Sequence, residues 1–190
     1  MCAATVDVVE GNGAEVTWSV KTAIRYCTAD EHDPGLNNPV PIPESGLNHS
    51  YWKSLALSLT AAFTKIDNIR LYSDGTIGCN FGSGGQRGRG GRDSGDHGGP
   101  DGSYQAATGT QGASGHRIED SHPYYSGETT KVCDIDSFVA ASPATIDSGS
   151  YIAASRTKHA VLQAKLDTAA NGAAQGSQSA ETLTWKYDEI

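Results

Sequence analysis

What this chain has little of narrows its class. In 190 residues there are one Met, three Phe and few Leu, a poor stock for a helical bundle. Charged residues make up only 19%, whereas disordered chains combine high net charge with few aromatics; eight Tyr and three Trp are available to anchor a core. No stretch approaches the ~20 apolar residues of a membrane span, so no membrane partner is expected. Met1 to Thr5 show neither a positive n-region nor an apolar h-region, and no signal peptide is expected. The balance of 14 Lys+Arg against 22 Asp+Glu gives a net charge of −8, which offers no general attraction to nucleic acid. Cys2, Cys27, Cys79 and Cys133 form no C-x-x-C, which argues against a zinc ribbon or a thioredoxin-like site. Four cysteines allow three pairings and the sequence selects none. Without a signal peptide, free and half-buried thiols are the expectation.

What is present reads as β. Val16, Trp18 and Val20 alternate with Thr17, Ser19 and Lys21, the pattern of a half-buried strand. Leu55, Leu57 and Leu59 mark a second strand over 54–60. Residues 66–72 run into Asp74-Gly75 and out through 76–79, which predicts a hairpin. Residues 159–167 fit strand or helix by composition; a strand is expected. In 181–189, Leu183, Trp185 and Tyr187 alternate cleanly with polar residues, and the small, polar stretch 168–180 before it suggests a long hairpin loop. Between the first two strands, the prolines of 30–46 disfavour a central strand, so this segment is expected to be a surface arm or loop. The fold expected is one all-β domain over 1–190, a β-sandwich or jelly-roll with long Gly- and Pro-rich loops.

The segment 82–127 is expected to be a glycine-rich insertion. Thirteen of the 23 Gly fall between Gly82 and Gly115, with almost no apolar side chains. Such a stretch has no core of its own, so whatever orders it should come from outside it, a neighbouring subunit or ions. Arg87, Arg89 and Arg92, followed by Asp93 and Asp96, are the candidate assembly contacts. The arginines also resemble a short RNA-binding arginine–glycine segment, but this is a single instance in an acidic chain and aspartates follow at once. Contact with an acidic protein neighbour explains them at least as well, and no direct nucleic-acid contact is expected.

Catalytic and ligand motifs fail one by one. Gly95-Asp96-His97-Gly98-Gly99-Pro100 has His97 where a serine protease carries its nucleophile. Asp93, Asp96 and Asp101 lack the spacing of an EF-hand loop and are expected to be solvated turn residues. The six His are scattered, with exposed positions expected. Asn48-His49-Ser50 is a formal sequon, idle if the chain never enters a secretory pathway. Tyr51-Trp52 could form a sugar-stacking platform, although core aromatics at the entry to a strand are the commoner case. No enzyme, cofactor or metal is expected.

As a set, Val16-Thr17-Trp18-Ser19, the segment 38–43, Ser50-Tyr51-Trp52-Lys53, the run 69–78, Arg92-Asp93-Ser94-Gly95-Asp96, the run 107–110, His122-Pro123-Tyr124-Tyr125 and the ending 181–189 occur in this order. Together they resemble largely uncharacterised structural proteins of tailed viruses of bacteria and archaea. The resemblance implies a virion component, expected as a capsid decoration or cement protein, with a head–tail or tail component as the alternative. Its partners would be the major capsid protein or neighbouring copies of itself in a homo-oligomer, within a particle assembled in the host cytoplasm. A carbohydrate-binding, receptor-binding module is the alternative from another class.

Overall fold

The computed structural model describes residues 4–12, 17–60, 62–75, 86–91, 117–118, 132–176 and 180–190. The strands are β1 (Thr5–Asn12), β2 (Thr17–Val20), β3 (Asn48–His49), β4 (Lys53–Thr60), β5 (Ile66–Tyr72), β6 (Gln86–Gly91), β7 (Val132–Asp134), β8 (Ala144–Tyr151), β9 (Ser155–Arg156), β10 (Ala160–Leu166) and β11 (Thr184–Glu189). The described residues are all-β, in two antiparallel sheets. The larger runs β2-β1-β4-β10-β6-β7, with β3 added to β10 and β9 to β4. The smaller runs β11-β5-β8.

One apolar core serves both sheets. Leu55, Leu57 and Leu59 of β4 and Ala160 and Leu162 of β10 meet Ile66, Ile69 and Leu71 of β5 and Ala144 and Ile146 of β8. The β1 register sets Val6 opposite Leu59 and Val8 opposite Leu57, so their side chains reach the same face. In β5 the inward residues are not spaced by two throughout, because Asn68 takes φ 55° and the pairing with β8 shifts register between Asp67 and Ile69. That bulge turns both Ile66 and Ile69 toward the core. Leu183, Trp185 and Tyr187 pack against it from the C-terminal segment, as their alternation anticipates.

The second face of the larger sheet is also covered. Trp52, Ile118, Val132 and Val161 form a smaller cluster there, which leaves β10 buried along nearly its whole length. This explains why 159–167 lacks strand alternation in sequence.

Two hydroxyls complete the sheet where its strands break. Between β3 and β4, Ser50 N–H donates to the Ala164 carbonyl at 3.0 Å, and its Oγ accepts from Ala164 N–H at 3.0 Å. Between β9 and β10, Thr157 N–H donates to the Leu57 carbonyl at 2.9 Å, and its Oγ1 accepts from Leu57 N–H at 3.0 Å. Each hydroxyl proton goes to the next residue's carbonyl, Tyr51 in one case and Lys158 in the other. In both places a side-chain oxygen stands in for a ladder carbonyl, and no N–H is left buried and unbonded.

Several expectations are corrected. Residues 76–79, the expected return strand of the Asp74-Gly75 hairpin, lie outside the described residues; both edges of β5 are taken by β11 and β8. Gly75 does sit in a turn, at φ 85°, its N–H donating to Ser73 Oγ at 3.0 Å. Residues 168–180 are not a hairpin loop, since β10 and β11 lie in different sheets; they carry the chain across. Val20 is 62% exposed, because β2 is a short strand at the edge of the larger sheet. His49 and His159 are buried, against the expectation of exposed histidines. Cys27 is buried and in no disulfide; Cys2 and Cys79 lie outside the described residues.

Candidate functional site

The glycine-rich insertion grows from a stem within the larger sheet. Gln86–Gly91, the arginine–glycine run, is the strand between β10 and β7. In register, Gly91 pairs Val132, Gly90 pairs Cys133 and Arg89 pairs Asp134, while on the other side Arg89 pairs Gln163 and Gly90 pairs Leu162. Gly91 and Val132 pair across the two strands, so residues 92–131 are the connection between β6 and β7, and of these only Arg117 and Ile118 are described. Arg89 is thus a ladder position and Arg87 belongs to the same strand. Arg92, Asp93 and Asp96 lie outside the described residues, as do Asp101, His97, His116 and His122.

The excursion touches its own body at Ile118. That side chain is fully buried against Trp52, Val132 and Val161, and its N–H donates to Gln163 Oε1 at 3.2 Å. The same amide donates through Nε2 to the Ser50 carbonyl at 2.8 Å. Gln163 therefore links the insertion to the β3–β4 junction with both ends of one buried side chain.

The proline-rich segment 30–46 lies along the body. Val40 and Ile42 pack against Ala164 and Leu166. Asn48 Nδ2 donates to the Pro41 carbonyl at 2.8 Å, so the sequon amide is buried and engaged. The Asn38 carbonyl accepts from Thr28 N–H and Oγ1. At the outer turn, Asn37 N–H bonds the Pro34 carbonyl and presents Leu36, 83% exposed. Nearby, Lys21 Nζ meets Asp33 Oδ2 at 2.6 Å, and this cation holds the Asp33 carboxyl below the usual carboxylate range.

Beneath this segment is a charged pair in an otherwise apolar position. Lys53 Nζ stands 2.9 Å from Glu10 Oε1, with both side chains fully buried, and Nζ donates its hydrogen bond to the Glu31 carbonyl. Glu10 is opposite Leu55 and Lys53 opposite Leu162, so the pair continues the inward rows of β1 and β4 beyond their last apolar residues. Breaking such a pair typically costs about 3–5 kcal/mol, because the remaining charge stays buried. Beside it Cys27 Sγ donates to the Ala29 carbonyl at 3.0 Å, and burial pushes the thiol above its ordinary range. Sequence reasoning passed over Glu10; its signal was the parity of Val6, Val8 and Glu10, which puts a carboxylate on a buried face.

On the opposite face of the larger sheet, Arg156 Cζ lies 4.4 Å from the Trp18 ring centroid, and the Trp18 and His159 rings are 6.0 Å apart. Gly11 makes room, since a Cβ there would come within 3.0 Å of the Trp18 ring. In β8 of the smaller sheet, Asp147 is a fully buried carboxylate that accepts from Gly149 N–H, Tyr151 Oη and Lys158 N–H. Three donors and no approach for solvent mark it as structural.

Trp52 is 2% exposed and belongs to the outer-face cluster, so it presents no ring to a sugar. Among the described residues no group of three or more His, Cys, Asp or Glu is placed to hold a metal ion. No helix among them is long and apolar enough to cross a membrane. No protein-family model, curated protein or solved structure matches the chain.

Proposed function

We propose that this chain is a virion structural protein, a capsid decoration or cement protein with a β-sandwich body of jelly-roll type. The observation that carries the reading is the excursion 92–131 rooted on the paired strands β6 and β7. Connections longer than ~12–15 residues are uncommon in compact domains and tend to be functional or unstructured. Here the root is a sheet ladder and Ile118 pins one point to the body, which fits an element that presents contacts from a fixed base. In sequence Arg92, Asp93 and Asp96 follow Gly91, the last residue of the stem, a run of both signs suited to a mixed-charge protein neighbour. That neighbour is the major capsid protein or another copy of this chain.

The segment 30–46 has a smaller part in this reading, because Val40 and Ile42 are committed to its own body. For the glycan-binding alternative, Trp52 is buried, which leaves the half-buried Tyr51 as the remaining aromatic of that pair. Gold-labelled antibodies against the recombinant chain should decorate the shell of intact particles of the encoding virus. Label confined to the tail would assign the chain to the head–tail alternative, and particles carrying no label would overturn the virion reading.

A further inference from the structure

We propose that Lys53 and Glu10 react to form an intramolecular isopeptide bond, a covalent tie between β4 and β1 made after folding. The inference is independent of any role in a particle. Lys53 Nζ and Glu10 Oε1 are 2.9 Å apart and both side chains are fully buried. Neither Glu10 oxygen meets an aligned hydrogen-bond donor among the described residues, although buried carboxylates ordinarily collect several. Asp147, with its three donors, shows how this fold treats a carboxylate that is to remain one. The nitrogen is steadied from its other side by the Glu31 carbonyl. Leu55 and Leu162 are the cross-strand neighbours of the pair, and both are buried.

The chemistry balances without any external reagent. Within the contact, one proton passes from the ammonium to the carboxylate, leaving an amine and a carboxylic acid. The Nζ lone pair attacks Cδ, the nitrogen–carbon bond forms and the carbon–hydroxyl bond breaks. A second Nζ proton leaves with the hydroxyl as water, and no atom changes oxidation state. Two physical effects favour the product. Groups held in reach of each other react as though at ~10⁵–10⁸ M when well oriented. The amide also replaces two buried charges, whose desolvation is costly, with a neutral group.

The test is the intact mass of the purified, reduced full chain. It should fall below the sequence mass by one water. Trypsin should fail to cut after Lys53, and fragmentation should place a branched peptide joining residues 10 and 53. Lys53→Arg, whose guanidinium is a poor nucleophile, should restore the full mass. Because a variant of a buried pair can fail to fold, the deciding measurement is on the wild-type chain. Folded protein that keeps its full sequence mass after prolonged incubation would overturn the proposal. So would a loss of water that maps to a cyclised aspartate, for example at Asp74-Gly75.

Discussion

The residues with the clearest individual roles are small and polar. Ser50 and Thr157 each make a backbone-like bond with a hydroxyl, both in places where a strand paired to the long central strands is interrupted. The interruption at Thr157 separates β9 from β10 along one edge of β4. Thr157→Val keeps the shape but removes the acceptor, leaving the Leu57 N–H buried and unbonded. The expected cost is about 1–3 kcal/mol, the range for an orphaned buried donor, read as a lower urea midpoint with an unchanged slope. Thr157→Ser, which keeps the oxygen, should retain most of the stability. Equal losses in the two variants would mean that the methyl group, not the hydrogen bond, matters there. Nothing in the local sequence marks Thr157, because its partner is 100 residues away.

At the scale of elements, the insertion and its stem have to be told apart. Deleting 84–102 removes β6, the strand that joins β10 to β7, and should leave insoluble or unfolded protein. Deleting 93–115 spares β6, β7 and Ile118, and should leave a folded chain with native circular dichroism that no longer binds particles at full occupancy. If the shorter deletion binds normally, the excursion is not the assembly element. The same contrast shows which elements were legible in sequence. β4 and β11 were, because Leu55, Leu57 and Leu59 and then Leu183, Trp185 and Tyr187 alternate as a sheet with one buried face requires. β6 was not, because Gln86-Arg87-Gly88-Arg89-Gly90-Gly91 carries no apolar residue and is held by backbone bonds to strands distant in sequence. β1 was missed for a related reason: Thr5 to Asn12 mixes Asp7 and Glu10 with three valines. The candidate site was legible only as composition, and the stem that positions it depends on register.

For the molecule as a whole, the pairing is almost entirely long-range. β1 pairs β4, β4 pairs β10, and β5 lies between the distant β8 and β11. The first and last described segments also meet, with Ala4 N–H donating to Glu189 Oε1 at 2.7 Å, and Ile190 N–H donates to the Lys65 carbonyl. Local loss of one sheet would strip the core from the other, because Leu57 and Leu162 share a cluster with Ile69 and Ile146. The described body should therefore unfold in one transition, and Cys27 should report it. Burial raises this thiol in the native state, so the unfolded chain releases its proton first as pH rises. Between the ordinary thiol range and the raised native value the unfolded state binds fewer protons, and the Cys27 contribution to stability must fall with increasing pH. Below that window both states are protonated and the contribution is flat. Melting temperatures of wild type and Cys27→Ala, measured from pH 7 upward, should run parallel at first. They should then draw together or cross, as the wild type declines more steeply. Parallel curves through the whole alkaline range, or alkylation of Cys27 at native rates independent of denaturant, would show that the loop over Lys53 opens by itself and that the body is not one cooperative unit.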